Sequence, residues 1–247
     1  MSESLEYSPR LAVLIDADNT PAKSVPLILE EIAKLGTASV RRAYGDWSCD
    51  SLKNWKDLSL DNSIQPMQQF AYTKGKNASD IAMIIDALDL MYTELYDGFC
   101  LVSSDSDFTP LATRIRQQSL TVYGIGQKKT PKPFVEACDK FIYSELLDKN
   151  DNSEIEVKPI TDAKLFHYFK TAIDATSDDS GWSPLGPVGQ HINNLAPDFD
   201  SRSWGHSKLS DLAKAIPKIE TNQTAKHFRV RIKASMKKTA KKSPKQS

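Results

Sequence analysis

The stretch Leu11-Ala-Val-Leu-Ile-Asp16-Ala-Asp18-Asn19-Thr20-Pro21 runs five apolar residues straight into an acid and then turns. A short apolar run without polar alternation predicts a strand covered on both faces, as strands of parallel sheets are. Pro21 suits the first turn of a helix, Leu27, Ile28, Ile32 and Leu35 mark that helix's apolar face, and Gly36 stands where a C-terminal cap belongs. Outward from this unit the pattern repeats. Strands are predicted at 11–16, 38–44, 63–70, 99–103, 120–125 and 140–143, with amphipathic segments between them. The strongest helix is predicted over 78–94, with Ile81, Ile84, Ile85, Leu88 and Tyr92 inward and Asp86 and Asp89 on other faces. Strands alternating with helices give an α/β class: a parallel sheet flanked by helices.

A chain of 247 residues with 40% apolar and 26% charged side chains can bury a sizeable core, which excludes collagen-like, coiled-coil and wholly disordered classes. No apolar run approaches the roughly 18 residues of a membrane span. The acidic, polar start MSESLEYSPR lacks the pattern of a secretory signal. Cys49, Cys100 and Cys138 lie far apart and form neither a disulfide framework nor a CxxC pair, so a reducing cytoplasm is expected. The formal net charge of zero hides an asymmetry, because residues 201–247 carry 13 basic and 2 acidic side chains. Such a concentration points to a polyanionic partner, nucleic acid first among them.

The polar, aperiodic stretch 148–160 reads as a linker between two domains. Beyond it, helices are expected at 164–173, 184–195 and 207–216, the last capped by Ser207, followed by short strands at 218–221 and 227–232. Three helices and a two-stranded wing make a small C-terminal winged helix-turn-helix domain. Trp182 and Trp204 are expected to pack in its core. Residues 233–247, rich in lysine and poor in apolar side chains, read as a disordered basic tail. The expected division is thus 1–147, linker 148–160, 161–232 and tail 233–247.

Two strands end in acids, the first in Asp16 and the fourth in Ser-Ser-Asp105-Ser-Asp107. In open parallel sheets, ligands bind beyond the carboxyl ends of strands where strand order reverses, and both motifs lie there if the first and fourth strands are neighbours. Asp80 begins the helix after the third strand and so reaches the same edge. Clustered carboxylates repel unless a cation or a proton relieves them. Hard oxygen ligands suit Mg²⁺ or Mn²⁺, and the absence of a His/Cys cluster disfavours zinc. Such an ion beside a basic surface fits phosphodiester hydrolysis. Asn19 is expected to hold Asp16 or an attacking water. Arg42, Lys74 and Lys76 are candidate grips on substrate phosphates, with Arg41, Lys128 and Lys129 as further cations.

Residues 11–145 resemble the NYN family, a branch of the PIN-like nuclease superfamily close to the LabA-like group. The carriers are Val-Leu-Ile-Asp16-Ala-Asp18-Asn19, Arg42-Ala-Tyr44-Gly45-Asp46, Lys76-Asn-Ala-Ser-Asp80-Ile-Ala, Leu-Val-Ser-Ser-Asp105-Ser-Asp107-Phe108 and Tyr123-Gly124-Ile125-Gly126. The resemblance implies a PIN-like sheet and a Mg²⁺-dependent ribonuclease site at Asp16, Asp80, Asp105 and Asp107. Residues 161–232 resemble the OST-HTH or LOTUS domain through Gly181-Trp182-Ser-Pro-Leu185-Gly-Pro-Val188-Gly189, Phe199 and Lys208-Leu209-Ser-Asp211-Leu212. That resemblance implies binding of RNA, single-stranded in this reading, or of a protein partner.

Two other classes remain open at this point. Asp16-Ala-Asp18-Asn-Thr20 also fits the DxDxT signature of haloacid-dehalogenase phosphatases, in which the first acid is a phosphorylated nucleophile. A non-catalytic RNA-binding adaptor would keep the same two domains. The sequence leaves oligomeric state open.

Overall fold

A computed structural model describes residues 7–69, 78–148, 158–224 and 227–233. These divide into two compact units, one holding the residues before 158 together with Asn193–Ser203, the other holding Lys158–Ile192 and the residues from Trp204 onward.

The first unit is built on six parallel strands: β1 (Arg10–Asp16), β2 (Thr37–Gly45), β3 (Gln65–Gln68), β4 (Gly98–Val102), β5 (Thr121–Gly126) and β6 (Lys140–Tyr143). Their order is β3-β2-β1-β4-β5-β6, so the chain lays strands outward from β1 in one direction and then in the other. Both faces of β1 are covered, which is why its sequence is an unbroken apolar run. Ala12 and Leu14 enter one core with Phe99, Leu101, Met83, Ala87, Leu111 and Phe134. Leu11, Val13 and Ile15 enter the other, with Cys100, Val102, Ile28, Ile32 and Trp55. The alternation is the two-residue period of a strand, read out on two buried faces.

Helices α1 (Val25–Ile32), α2 (Trp55–Asp61), α3 (Ala78–Tyr92), α4 (Thr109–Gln117) and α5 (Lys132–Ala137) connect the strands. Three local expectations are corrected. Pro21 precedes a 3-10 turn, Ala22–Ser24, and α1 starts only at Val25. Gly36 is not in the left-handed conformation of a helix cap. A Cβ there would lie 2.4 Å from the Pro9 carbonyl oxygen, so its smallness serves the approach of the chain to the start of β1. Finally, α3 is rotated from its expected orientation: Ile84 and Leu88 pack against the core as expected, but Asp80, Met83, Ala87, Leu90 and Met91 are the buried residues, whereas Ile81, Ile85 and Tyr92 are more than half exposed. The helix carries two apolar arcs, and periodicity alone does not say which one meets the sheet.

The second unit contains α6 (Ala163–Thr176), β7 (Ser183–Pro184), α7 (Leu185–Leu195), α8 (Leu209–Ala215), β8 (Ile219–Gln223) and β9 (Phe228–Ile232), with the end of α7 grouped in the first unit. Its antiparallel sheet has three strands in the order β7-β9-β8, one more than the expected wing, because Ser183 and Pro184 pair with β9 before α7 begins. Lys208, not Ser207, occupies the N-cap of α8, without a side-chain cap bond. Trp204 is buried. Trp182 is only half-buried, and the Arg231 guanidinium lies 4.5 Å from its ring centre.

Candidate active site

Strand order reverses at β1, and the carboxyl ends of β1 and β4 stand side by side there, with Ile15 opposite Val102. Asp16 is the last residue of β1, opposite Tyr44, and its side chain is 1% exposed. Three protons reach it. Ser103 Oγ, just past β4, donates to Oδ2 at 2.7 Å, Asn19 Nδ2 donates to the same oxygen at 2.8 Å, and the Asn19 backbone N–H donates to Oδ1 at 3.2 Å. Burial pushes the Asp16 carboxyl above the usual carboxylate range, and the bonds from Ser103 and Asn19 oppose that rise.

The β4 side of the edge is held by a relay of short bonds. The Ser103 hydroxyl that donates to Asp16 accepts from the Asp105 backbone N–H at 3.1 Å. Asp105 Oδ1 accepts in turn from the Asp107 N–H at 2.9 Å and caps the 3-10 turn Ser106–Phe108 that leads into α4. Asp105 is half-buried and Asp107 exposed. From the other side, the first turn of α3 contributes Asp80, 8% exposed. Its neighbour Ser79 donates to Asp18 Oδ2 at 2.8 Å.

Asp80 reports how closely these acids gather. Its carboxyl is pushed up to about 6, first by burial and then by the charges of Asp16, Asp105, Asp18 and Asp107. Three of the five expected site residues, Asp16, Asp105 and Asp107, thus act on a fourth, Asp80, and the fifth, Asn19, holds Asp16. Sequence reasoning passed over Ser103 and Ser79 as partners of Asp16 and Asp18, and gave Asp18 no part in the nuclease site. A serine directly after a buried strand was the available signal for Ser103.

The expected phosphate grips fare differently. Arg42 lies inside β2 and donates to Asp86 at 2.5 Å and to Gln65 at 3.3 Å, while the Tyr44 hydroxyl also donates to Asp86. The structure therefore brings Arg42 to α3 and β3. Arg41 donates to the Asn62 carbonyl oxygen at 2.9 Å. Lys74 and Lys76 lie outside the described residues.

Among the described residues, no group of three or more His, Cys, Asp or Glu side chains is arranged to hold a metal ion. The donor set at this edge is nonetheless all oxygen and carries the repulsion that a cation relieves. Mg²⁺ usually takes one or two carboxylates and completes its shell with water and substrate phosphate, which these residues can accommodate.

A family model for the NYN domain matches residues 10–147. The chain belongs to the NYN family. NYN domains are PIN-like, and the six-stranded parallel sheet flanked by helices accords with that class. Nucleic-acid hydrolysis is the chemistry of the superfamily. In this NYN protein the OST-HTH/LOTUS model matches residues 164–229. OST-HTH/LOTUS domains bind RNA or protein partners. Among solved structures, a protein of unknown function from Vibrio parahaemolyticus is 19% identical, with 56% of this chain and 94% of that one covered at a TM-score of 0.46. A protein fragment from Chromobacterium violaceum, solved by NMR, is 32% identical over 29% of this chain and 82% of its own, at a TM-score of 0.25. No curated protein matches the chain. No helix among the described residues is long and apolar enough to cross a membrane.

Gly126, at the end of the NYN motif in β5, serves the site through packing. A Cβ at Gly126 would lie 2.5 Å from the Ser103 carbonyl oxygen and 2.9 Å from Thr130 Oγ1. Gly126→Ala is therefore expected to cost about 1–3 kcal/mol of stability and to displace the serine that holds Asp16. Thermal melts and RNA cleavage measured together test this, and an unchanged cleavage rate in a destabilised protein would uncouple Gly126 from the site.

Proposed function

We propose that this NYN protein is a ribonuclease that hydrolyses RNA phosphodiester bonds with Mg²⁺ or Mn²⁺ at the edge formed by Asp16, Asp80, Asp105 and Asp107. The observation that carries the reading is geometric: buried Asp16 ends β1 at the reversal point of the sheet and is tied through Ser103 to Asp105 past β4, with Asp80 in the first turn of α3 close enough for these acids to raise its carboxyl. Asp16 and Asp105 would hold the principal ion directly, with Asp80 and Asp107 reached through water or a second ion. The ion supplies polarisation of the phosphate and a lowered pKa for the attacking water. Asn19 and Ser103 oppose the effect of burial on Asp16 and aim it by donating to it, and Asn19, exposed at the edge, can turn its amide to an attacking water. This network fits a metal ligand better than the nucleophile of a haloacid-dehalogenase phosphatase, and the Ser79 bond to Asp18 occupies the side chain that would be that enzyme's acid.

The winged-helix module would tether single-stranded RNA and so raise its local concentration, or recruit a protein partner. Several of its basic side chains lie over aromatic rings, with Lys218 Nζ 4.8 Å from the centre of Phe166 and the Arg231 guanidinium 4.5 Å from that of Trp182. We assign the domains as 1–147 and 161–232, joined by a linker at 148–160 and followed by a basic tail at 233–247; the tail after Lys233 and residues 149–157 lie outside the described residues. Three free cysteines suit a reducing cytoplasm.

Titration of purified protein with Mn²⁺ and labelled single-stranded RNA tests the activity; protein that binds this RNA without cutting it under any divalent ion would be the adaptor. Asp105→Asn checks the metal separately, since asparagine can still cap the following turn. It is expected to weaken Mg²⁺ binding by calorimetry and to raise the metal-free melting temperature by relieving repulsion. Unchanged affinity with a lower melting temperature would make Asp105 structural.

A further inference from the structure

Past Gly45 the chain turns through Asp46 and Trp47 into a 3-10 turn, Asp50–Leu52, and then α2. Against this turn lies a cavity of about 410 Å³, walled by Trp47, Leu52, Trp55, Leu60, Ile64 and Pro66. The two indoles meet edge to face with centres 6.0 Å apart. Leu60 is left 73% exposed. Two polar groups in the lining, Trp47 Nε1 and the hydroxyl of Ser59, are buried without a hydrogen-bond partner. Lys53 and Lys56, both exposed, complete the lining, and Lys53 shares its charge with Asp50 at 2.8 Å.

The cavity adjoins the acidic edge. A Cβ at Gly45 would lie 2.8 Å from Leu52 Cδ1 and 3.4 Å from Asp18 Oδ1, so one strip of backbone separates the cavity wall from an acid of the site. An occupant suited to this place is flat and apolar on its faces and attached to negative charge. Aromatic walls favour an occupant with a π face, and the lysines favour an anionic backbone.

We propose that this cavity receives one nucleobase of a single-stranded RNA, turned out of the strand next to the phosphate at the acidic edge, with Lys53 and Lys56 holding the adjacent backbone. The proposal rests on the ribonuclease reading and gives it a subsite that selects base-bearing, unpaired RNA.

The test uses the full chain carrying Asp16→Asn, so that RNA binds without being cut. Affinities are measured by fluorescence anisotropy for a labelled decauridylate and for the corresponding abasic ribose-phosphate decamer. Adding Trp47→Ala is expected to weaken decauridylate binding about tenfold, the order that one stacked base contributes, and to leave the abasic decamer unaffected. Leu60→Asn, at an exposed position, should act in the same direction without lowering the melting temperature. Lys56→Glu should weaken both ligands. If Trp47→Ala and Leu60→Asn change both ligands equally or neither, the base subsite is wrong while RNA binding stands. If decauridylate does not bind the Asp16→Asn chain and is not cut by the unsubstituted one, the ribonuclease reading fails and takes the subsite with it. An apolar peptide that binds the cavity while base-bearing RNA ignores both variants would assign it to a protein partner and overturn the proposal.

Discussion

Asp16→Asn is expected to lower RNA cleavage at saturating substrate by about a hundred- to a thousandfold or more, the order lost when a principal charge-stabilising group is removed, while RNA affinity changes little. Asp16 lies deepest of the site acids, and three hydrogen bonds fix its two oxygens. Asparagine keeps the shape and one acceptor oxygen but removes the negative charge. If Asp16 holds the catalytic ion, the loss falls on turnover, and raising the RNA concentration does not restore it. The substitution removes a buried charge but sets the new amide NH2 against a donor of Asn19, two effects of opposite sign, so the metal-free melting temperature should change little. A parallel fall in stability and RNA binding would show that Asp16 maintains the fold and would leave the catalytic assignment without support.

The second large effect concerns Asp80 and pH in metal-free buffer. Its folded-state carboxyl titrates at about 6, against an ordinary aspartate value of 3.8. Between those two pH values the folded chain binds more protons than the unfolded one, so stability falls as pH rises through that window and stays lower above it. A shift of this size corresponds to about 1–3 kcal/mol. In EDTA, Asp80→Asn should therefore melt roughly 3–10 °C higher than the unsubstituted protein at pH 8, with the difference closing near pH 4. Added Mg²⁺ should stabilise the unsubstituted protein more than the variant. A gap that persists unchanged at pH 4 would mean that the substitution stabilises by something other than relief of charge.

How much of this was legible in the sequence depends on the distance over which each feature is decided. The strands and the edge positions of Asp16 and Asp105 follow from local pattern, because an apolar run ending in an acid needs no knowledge of the rest of the chain. Asp80 could be placed only by adding topology, since nothing in Ala-Ser-Asp80-Ile says which end of the sheet its helix faces. The orientation of α3 was misread because Ile81 and Ile85 are as apolar as Met83 and Ala87, and the choice between the arcs is made by the sheet beneath. The bond from Ser103 to Asp16 spans 87 positions and that from Ser79 to Asp18 spans 61. Local sequence marks Ser103 only as the residue after a buried strand; it does not name the partner that Ser103 or Ser79 takes, nor the one that takes Arg42 to Asp86.

The central place of β1 in the sheet also bears on when the site can exist. Its two neighbours are β2, which follows shortly, and β4, which begins at Gly98. During synthesis Asp16 leaves the ribosome long before Ser103 and Asp105, and at about 5–20 residues per second the delay is several seconds. Pairings of such long sequence separation also form slowly in the completed chain. A nascent or half-folded molecule thus carries the acids without the arrangement that joins them. In a protein read as a hydrolase of RNA, made beside messenger and ribosomal RNA, the sheet order itself would withhold the assembled site until β4 has emerged and paired with β1.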